Sequence, residues 1–530
     1  MTLHGQSIIA GKPTPSDGEK YSAINFATGE KLAPEFHESP VSQADAALKA
    51  ADAAFDDFRA KTPDQRAGLL EAIATQIEAL GDELLQRAHA ETALPMARLT
   101  GERARMTGQA RLFAKLVREG SWLEPRIDHA IPDRQPLPKP DVRRVYQPLG
   151  PVVVFGASNF PFAISVAGTD TVSALGAGNP VVVKAHPGHP GTCEMIAGAM
   201  VKALEQTGMP TGVFSMVHGK GNEIGMALVK HPLTAAVAFT GSLRGGRALF
   251  DAAVSRKNPI PFYGELGSVN PVFLLPGALK ERAPQMAEQF VGSLTMGVGQ
   301  FCTNPGLVFG LEGNDLGAFM DKTSALVKAW APATMLHGGI SKAFDSGVEK
   351  LTSAKGVKLV AQSTTPASKD AAQATAALLS TDIATFEANP ELREEVFGPV
   401  SLVTHCGNKE DLERIAESME GQLTAAIHGT PEDLKQHARL VRILERKVGR
   451  IIFNGFGTGI EVCPSMHHGG PYPAATHSFF TSIGTAAIFR FVRPVCYQGF
   501  PDECLPPAIQ NKNVTGAWRL VDGDFTKADA

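Results

Sequence analysis

Cys302 lies in GQFCTNPG (299–306), among residues that a packed core does not use. A lone cysteine is most often a small buried hydrophobe. Here Gly299, Gln300, Thr303, Asn304 and Gly306 surround it with small or polar groups. Gly297 and Gly299 let the backbone turn and approach a ligand closely. A thiolate in that setting is a strong nucleophile toward a carbonyl. Glu265, in GELGS (264–268), follows the apolar PFYG and therefore ends a strand. Most glutamates are solvated. A partly desolvated carboxylate at a strand end is raised in pKa toward a useful base. Asn159, in FGASNFPF (155–162), precedes Phe-Pro, which by itself is turn chemistry.

The elements that must position these groups follow from periodicity. Residues 40–120 carry helical patterns, one opening near Ser42 as N-cap and a second with Thr62 as cap and Pro63 at its first position. A third covers LTGERARMTGQARLFAKLVREG, and the Pro-rich run 131–144 is extended. From Val145 short β-branched runs alternate with helices, the pattern of a parallel sheet covered on both faces. Such sheets take ligands beyond the carboxyl ends of their strands. A second alternation runs from PVFLL to GRIIFNG. The expected organisation is a helical region with an extended arm over 1–144, an α/β domain over 145–270, and a second α/β domain carrying Cys302 over 271–484. A strand and tail for oligomerisation follow over 485–530.

Composition narrows the function classes. The chain has 530 residues, 43% hydrophobic and 20% charged, with a formal net charge of −4. That is a globular composition, and no basic stripe points to nucleic acid. No run is long and apolar enough for a membrane span, and no signal-peptide pattern opens the chain. Six scattered cysteines form neither a disulfide framework nor paired metal spacing, which suits a reducing cytoplasm. His186 and His189 have HxxH spacing and His467 and His468 are adjacent, but no carboxylate or cysteine accompanies them in a convincing metal pattern. They read as loop histidines rather than metal ligands, and no metal is expected.

FGASNFPF, FTGSLRGG (239–246), GELGS, GQFCTNPG and EEVFGPV (394–400), in that order, resemble the aldehyde dehydrogenase superfamily over about residues 25–500. The resemblance implies an α/β fold of two parallel-sheet domains with a small oligomerisation strand element. It implies NAD(P)-dependent oxidation of an aldehyde to a carboxylate through a thioester on Cys302. Glu265 would activate the hydrolytic water, and Asn159 would hold the oxyanion with the Cys302 N–H. Ser158 stands where many relatives carry Trp, and Ser268 where a second glycine is usual.

For the cofactor, the resemblance places Gly241, Ser242 and Gly246 at a helix start facing a pyrophosphate. Lys184 falls on the adenosine ribose, and Glu395 and Phe397 on the nicotinamide ribose and ring. The GxGxxxG at Gly219, Gly221 and Gly225 is not the dinucleotide fingerprint. NAD-preferring members often carry Glu where this chain has Pro187. With Lys184 and Lys220 retained and that acid gone, NADP is favoured, with NAD open.

KAHPGHPGT (184–192), SMHHGGPYPAATH (465–477) and the tail from Phe489 resemble the bacterial branch that acts on α-ketoglutaric semialdehyde (2,5-dioxopentanoate). That branch also resembles an NADP-dependent fatty aldehyde dehydrogenase, so a medium- or long-chain aldehyde is the alternative. A carboxylate-bearing substrate wants an arginine near the pocket, and the loop NGFGTGIEVCPSMHHGG (454–470) contains none. A CoA-acylating relative commonly lacks the base at Glu265, and a silent structural member would lose Cys302, Glu265 or Asn159. A homodimer or homotetramer is expected, joined through the tail strand and the extended run near 140.

Overall fold

The structure is a computed structural model that describes residues 3–530. Five strands of the first sheet run parallel, in the order Phe262–Glu265, Ala236–Thr240, Val152–Phe155, Val181–Lys184, Phe214–Val217. Chain order reverses beside Val152–Phe155, whose neighbours are Val181–Lys184 and Ala236–Thr240. A parallel doubly wound sheet opens a crevice at such a switch point, beyond its carboxyl ends. Phe155, Lys184, Thr240 and Glu265 all close strands at that edge. The central strands are buried throughout, as expected of VVVF and VVVK runs covered on both faces.

The helices that cover them follow their sequence signals. Pro63–Glu78 begins with a capping box, Thr62 accepting from the Gln65 N–H while Gln65 caps in return. Such a cap contributes about 1 kcal/mol. The first helix differs from expectation. It runs Val41–Arg59 with Pro40 at the N-cap and no side-chain cap, so Ser42 falls inside its first turn. Met96–Glu119 packs its Leu99, Met106, Ala110 and Phe113 into the core shared with the first sheet.

Residues 1–144 also contribute strands that hydrophobic periodicity did not reveal. Ser7–Ile9 pairs antiparallel with Phe214–Val217 and Lys12–Thr14 extends it further, giving seven strands in all. These segments are three residues long each, too short to display a period. Residues 1–2 lie outside the described residues.

The second sheet runs Lys358–Gln362, Ala377–Asp382, Val400–Cys406, Leu307–Leu311, Val272–Leu274, Gln422–His428, Val448–Phe453. Its strands are parallel except Lys358–Gln362 at one edge. Helices Pro276–Thr295 and Asn314–Ala329 pack on one face. The other face closes over Phe273, Phe309, Phe386 and Leu440. A third, five-stranded sheet stands apart from these two. In it the tail strand Val492–Gln498 pairs antiparallel with Val142–Pro148, so both segments expected at an oligomer contact first meet each other.

Candidate active site

Cys302 is carried by a loop that no regular element could make. Gly297, Val298 and Gly299 have φ of 56°, 60° and 67°, in the left-handed region. A Cβ on Gly299 would lie 2.3 Å from the Gly398 carbonyl carbon, so only glycine lets the two loops touch. The Asn270 side chain then fixes the loop, its Nδ2 lying 2.9 Å from both the Cys302 and Asn304 carbonyl oxygens. Its Oδ1 is 2.9 Å from the Ser268 Oγ and accepts from the Thr424 hydroxyl at 3.1 Å. Ser268 also accepts the Leu423 N–H. The serine that departs from the usual family glycine therefore knits the strand end to the second sheet.

Glu265 ends its strand as expected, and it is buried. His468 Nε2 lies 2.9 Å from Glu265 Oε1 and 3.5 Å from Cys302 Sγ, while Ser482 Oγ donates to Glu265 Oε2 at 2.5 Å. His468 is thus no solvent-facing loop histidine. It is 1% exposed and packed between the candidate nucleophile and the candidate base. One atom from each of Glu265, Cys302 and His468 falls within 4.8 Å of the others. The carboxylate and cysteine that sequence spacing did not supply to His468 arrive from 203 and 166 residues away.

This neighbourhood also reverses the expected pKa of Glu265. Burial does push it up, but the neighbouring His468, with hydrogen bonds from His468, Ser482 and Cys302, holds it below its usual value. Burial and the Glu265 charge push the Cys302 thiol well above its usual range, against a pull from Arg105. The resting nucleophile is therefore a thiol with a base beside it rather than a standing thiolate.

Asn159 is buried and donates through Nδ2 to the Gln300 carbonyl at 3.1 Å. Its amide carries two N–H groups, and Gln300 takes one. That bond ties the Asn159 turn to the loop that holds Cys302.

Of the residues expected at the cofactor, most gather along the carboxyl edge of the first sheet. Ser242 caps the helix Leu243–Val254 through the Gly245 N–H; Ser242, Leu243 and Arg244 are exposed and Gly245 is half-buried. A helix start of this kind offers its remaining N–H groups to an anion. A Cβ on Gly246 would meet Leu266 at 2.1 Å and one on Gly267 would meet Glu395 at 2.8 Å, so both glycines permit close packing at the cleft. Glu395 and Phe397 line the same cavity as Ser268, Gly299 and Asn304. Surrounding protein pushes Glu395 up to about 7. Lys184, at its strand end, is pushed down to about 8 by burial, with Glu38 opposing the shift. Pro187 is in the turn that follows. Lys220 is exposed, and its Nζ lies 4.0 Å from Glu19. Its backbone N–H and that of Gly221 both donate to Glu38, at 2.6 and 2.9 Å. Glu38 comes from the connection before the first helix, and nothing in its sequence neighbourhood marked it.

His186 and His189 are also more than loop residues. His189 is buried at the N-cap of Pro190–Thr207, with its Nδ1 3.3 Å from Cys193 Sγ, and His186 stacks on it at 5.2 Å. All six cysteines are free.

The model of the aldehyde dehydrogenase family matches residues 14–472. The chain is 48% identical to alpha-ketoglutaric semialdehyde dehydrogenase 2 of Azospirillum brasilense, over 99% of each chain. It is 43% identical to alpha-ketoglutaric semialdehyde dehydrogenase of Acinetobacter baylyi, over 99% of this chain and 98% of that one. Among solved structures, a 1-pyrroline-5-carboxylate dehydrogenase superposes with a TM-score of 0.80 at 20% identity, covering 93% of this chain and 92% of its own. PnpE in complex with nicotinamide adenine dinucleotide gives 0.79 at 20%, covering 94% and 97%. These likenesses at low identity fix the fold, and the family match with the two full-length relatives fixes the lineage: the chain belongs to the aldehyde dehydrogenase family.

Proposed function

We propose that this chain oxidises α-ketoglutaric semialdehyde to 2-oxoglutarate through a thioester on Cys302, with NAD(P) as hydride acceptor. The observation that carries the chemistry is the contact of Cys302 Sγ, His468 Nε2 and Glu265 in one buried cluster. The substrate reading rests on the two full-length relatives that carry that name.

The cofactor fits the residues present. The capped helix start at Ser242 would take the pyrophosphate end, and Glu395 and Phe397 the nicotinamide ribose and ring. When bound, it supplies the acceptor for the aldehyde hydrogen, which leaves as hydride. Cys302 sulfur bonds to the aldehyde carbon as its thiol proton passes to the Glu265–His468 pair. Asn159 and the Cys302 N–H stabilise the oxyanion, a role worth about 2.7–4 kcal/mol per donor. Once the thioester has formed and the pair has released the thiol's proton to solvent, Glu265 takes a proton from water, the oxygen adds to the acyl carbon, and the C–S bond breaks as that proton passes to the sulfur and restores Cys302. The low-lying Glu265 keeps that base ionised at neutral pH.

We propose use of both cofactors, with NADP favoured by Lys184, Lys220 and the neutral Pro187. Glu38 moderates that preference, because its carboxylate occupies the Lys220 and Gly221 N–H groups on which a 2′-phosphate would draw. A cytoplasmic homodimer or homotetramer completes the reading. Its support is the open outer edge of the strand Val492–Gln498.

The test is steady-state reduction of NAD and NADP with α-ketoglutaric semialdehyde, succinic semialdehyde, propanal and a long-chain aldehyde. A kcat/KM lead for the first supports the reading, and a lead for the long-chain aldehyde overturns its substrate.

A further inference from the structure

Helix Met96–Glu119 carries two arginines on the face turned toward the nucleophile loop. The Arg98 guanidinium carbon lies 5.1 Å from the Phe160 ring centre and 4.8 Å from that of Phe301. The Arg105 carbon lies 5.4 Å from Phe160. Phe160 follows Asn159 and Phe301 precedes Cys302, and their two rings meet edge to face at 5.4 Å. Arg98 Nη2 donates to the Asn159 carbonyl at 2.6 Å. Two guanidiniums therefore stack on the rings that flank the oxyanion amide and the nucleophile. Arg105 is near enough to feel the charges of both Cys302 and Glu265.

Arg98 Nη1, Arg105 Nε and Arg105 Nη2 are buried and have no hydrogen-bond partner among the described residues. Glu102 lies between the two in sequence, but its Oε1 accepts the Phe162 and Ala163 N–H groups at 2.8 and 3.0 Å. Glu102 hydrogen-bonds to neither arginine among the described residues, so both guanidinium forks keep unused donors. Leaving a guanidinium unpaired inside a protein is costly unless an anion joins it. The planar fork of arginine matches a carboxylate with two parallel hydrogen bonds.

We propose that Arg98 and Arg105 form the receptor for the far carboxylate of the substrate, which makes the site selective for aldehydes that carry an anionic group at the other end. The receptor deepens the substrate reading above and rests on it. It supplies the arginine that the loop 454–470 lacks, from an element more than 300 residues earlier in the chain. Arg105 presents the free donor pair, and Arg98 braces Asn159 while lending its remaining N–H groups and charge.

Wild type, Arg105→Met and Arg105→Lys should be compared with α-ketoglutaric semialdehyde and with pentanal, a neutral aldehyde of the same chain length. The expected result is a loss of about 100-fold in kcat/KM for the anionic aldehyde in Arg105→Met, chiefly through KM. Pentanal should lose much less, only the share that Arg105 carries through its pull on the Cys302 thiol, and an unchanged circular dichroism spectrum and melting temperature check that the variant is folded. Arg105→Lys keeps charge without the fork and should fall between the two. Calorimetric binding of 2-oxoglutarate to wild type and its loss in Arg105→Met gives a readout without turnover. Equal losses for both aldehydes, or no loss for either, overturn the receptor. A wild type that prefers pentanal to every anionic aldehyde instead overturns the substrate reading.

Discussion

Cys302, Glu265 and His468 constrain one another's protons. Burial and the Glu265 charge hold the Cys302 thiol high, so alkylation by iodoacetamide should keep accelerating from pH 6 through pH 9 without a plateau. A plateau below pH 7 would mean a standing thiolate. His468 does the reverse for Glu265, whose pKa it helps to lower. Removing that neighbour in His468→Gln should raise the Glu265 pKa and move the acid limb of the kcat profile to higher pH. An unmoved limb would separate His468 from the base. Glu395, pushed up to about 7, ionises within the working range. A ribose hydroxyl donates best to its carboxylate form, so cofactor affinity in titrations should fall as pH drops through about 7. Glu395→Gln should bind more weakly and with no such dependence.

At the scale of elements, the site is a meeting of strand ends with three loops and one helix. Asn270, at φ 47°, sits where the first sheet hands over to the second and holds two carbonyls of the nucleophile loop. Asn270→Ala leaves buried carbonyls unpaired and should cost about 1–3 kcal/mol in denaturant unfolding, with a fall in kcat. Glu38 reaches the cofactor edge from a connection far from the motifs. Glu38→Gln should raise the NADP-to-NAD ratio of binding constants, and an unchanged ratio would remove it from cofactor choice.

These elements also show what the sequence could and could not convey. Helices such as Pro63–Glu78 and buried strands such as Val152–Phe155 announce themselves, because caps and apolar runs are local signals. Cys302, Glu265 and Asn159 were legible because their motifs are contiguous. His468 was not, since its partners are distant in the chain and a histidine beside Gly-Gly looks like a turn. Nothing in the sequence marked Arg98 and Arg105, because periodicity does not say which polar face of a helix meets another loop. The expected rise in the Glu265 pKa failed for the same reason. Burial can be inferred from a strand end, but a histidine folded against it cannot.

On the scale of the whole molecule, the carboxyl edge of the first sheet is the proposed cofactor side, and the loop that leads into the second sheet carries Cys302. The third sheet, built from Val142–Pro148 and the tail strand, holds neither, and its outer strand has a free edge. Light scattering should report twice or four times the chain mass; a monomer would contradict the oligomer proposed for that edge. The account depends most on acyl transfer through Cys302. The direct test is the absorbance of reduced cofactor after mixing enzyme, NADP and α-ketoglutaric semialdehyde in a stopped-flow instrument. Wild type should turn over steadily, Glu265→Gln should release one burst of up to one equivalent and stall, and Cys302→Ala should show no reduction. Sustained turnover by Cys302→Ala would contradict the central claim.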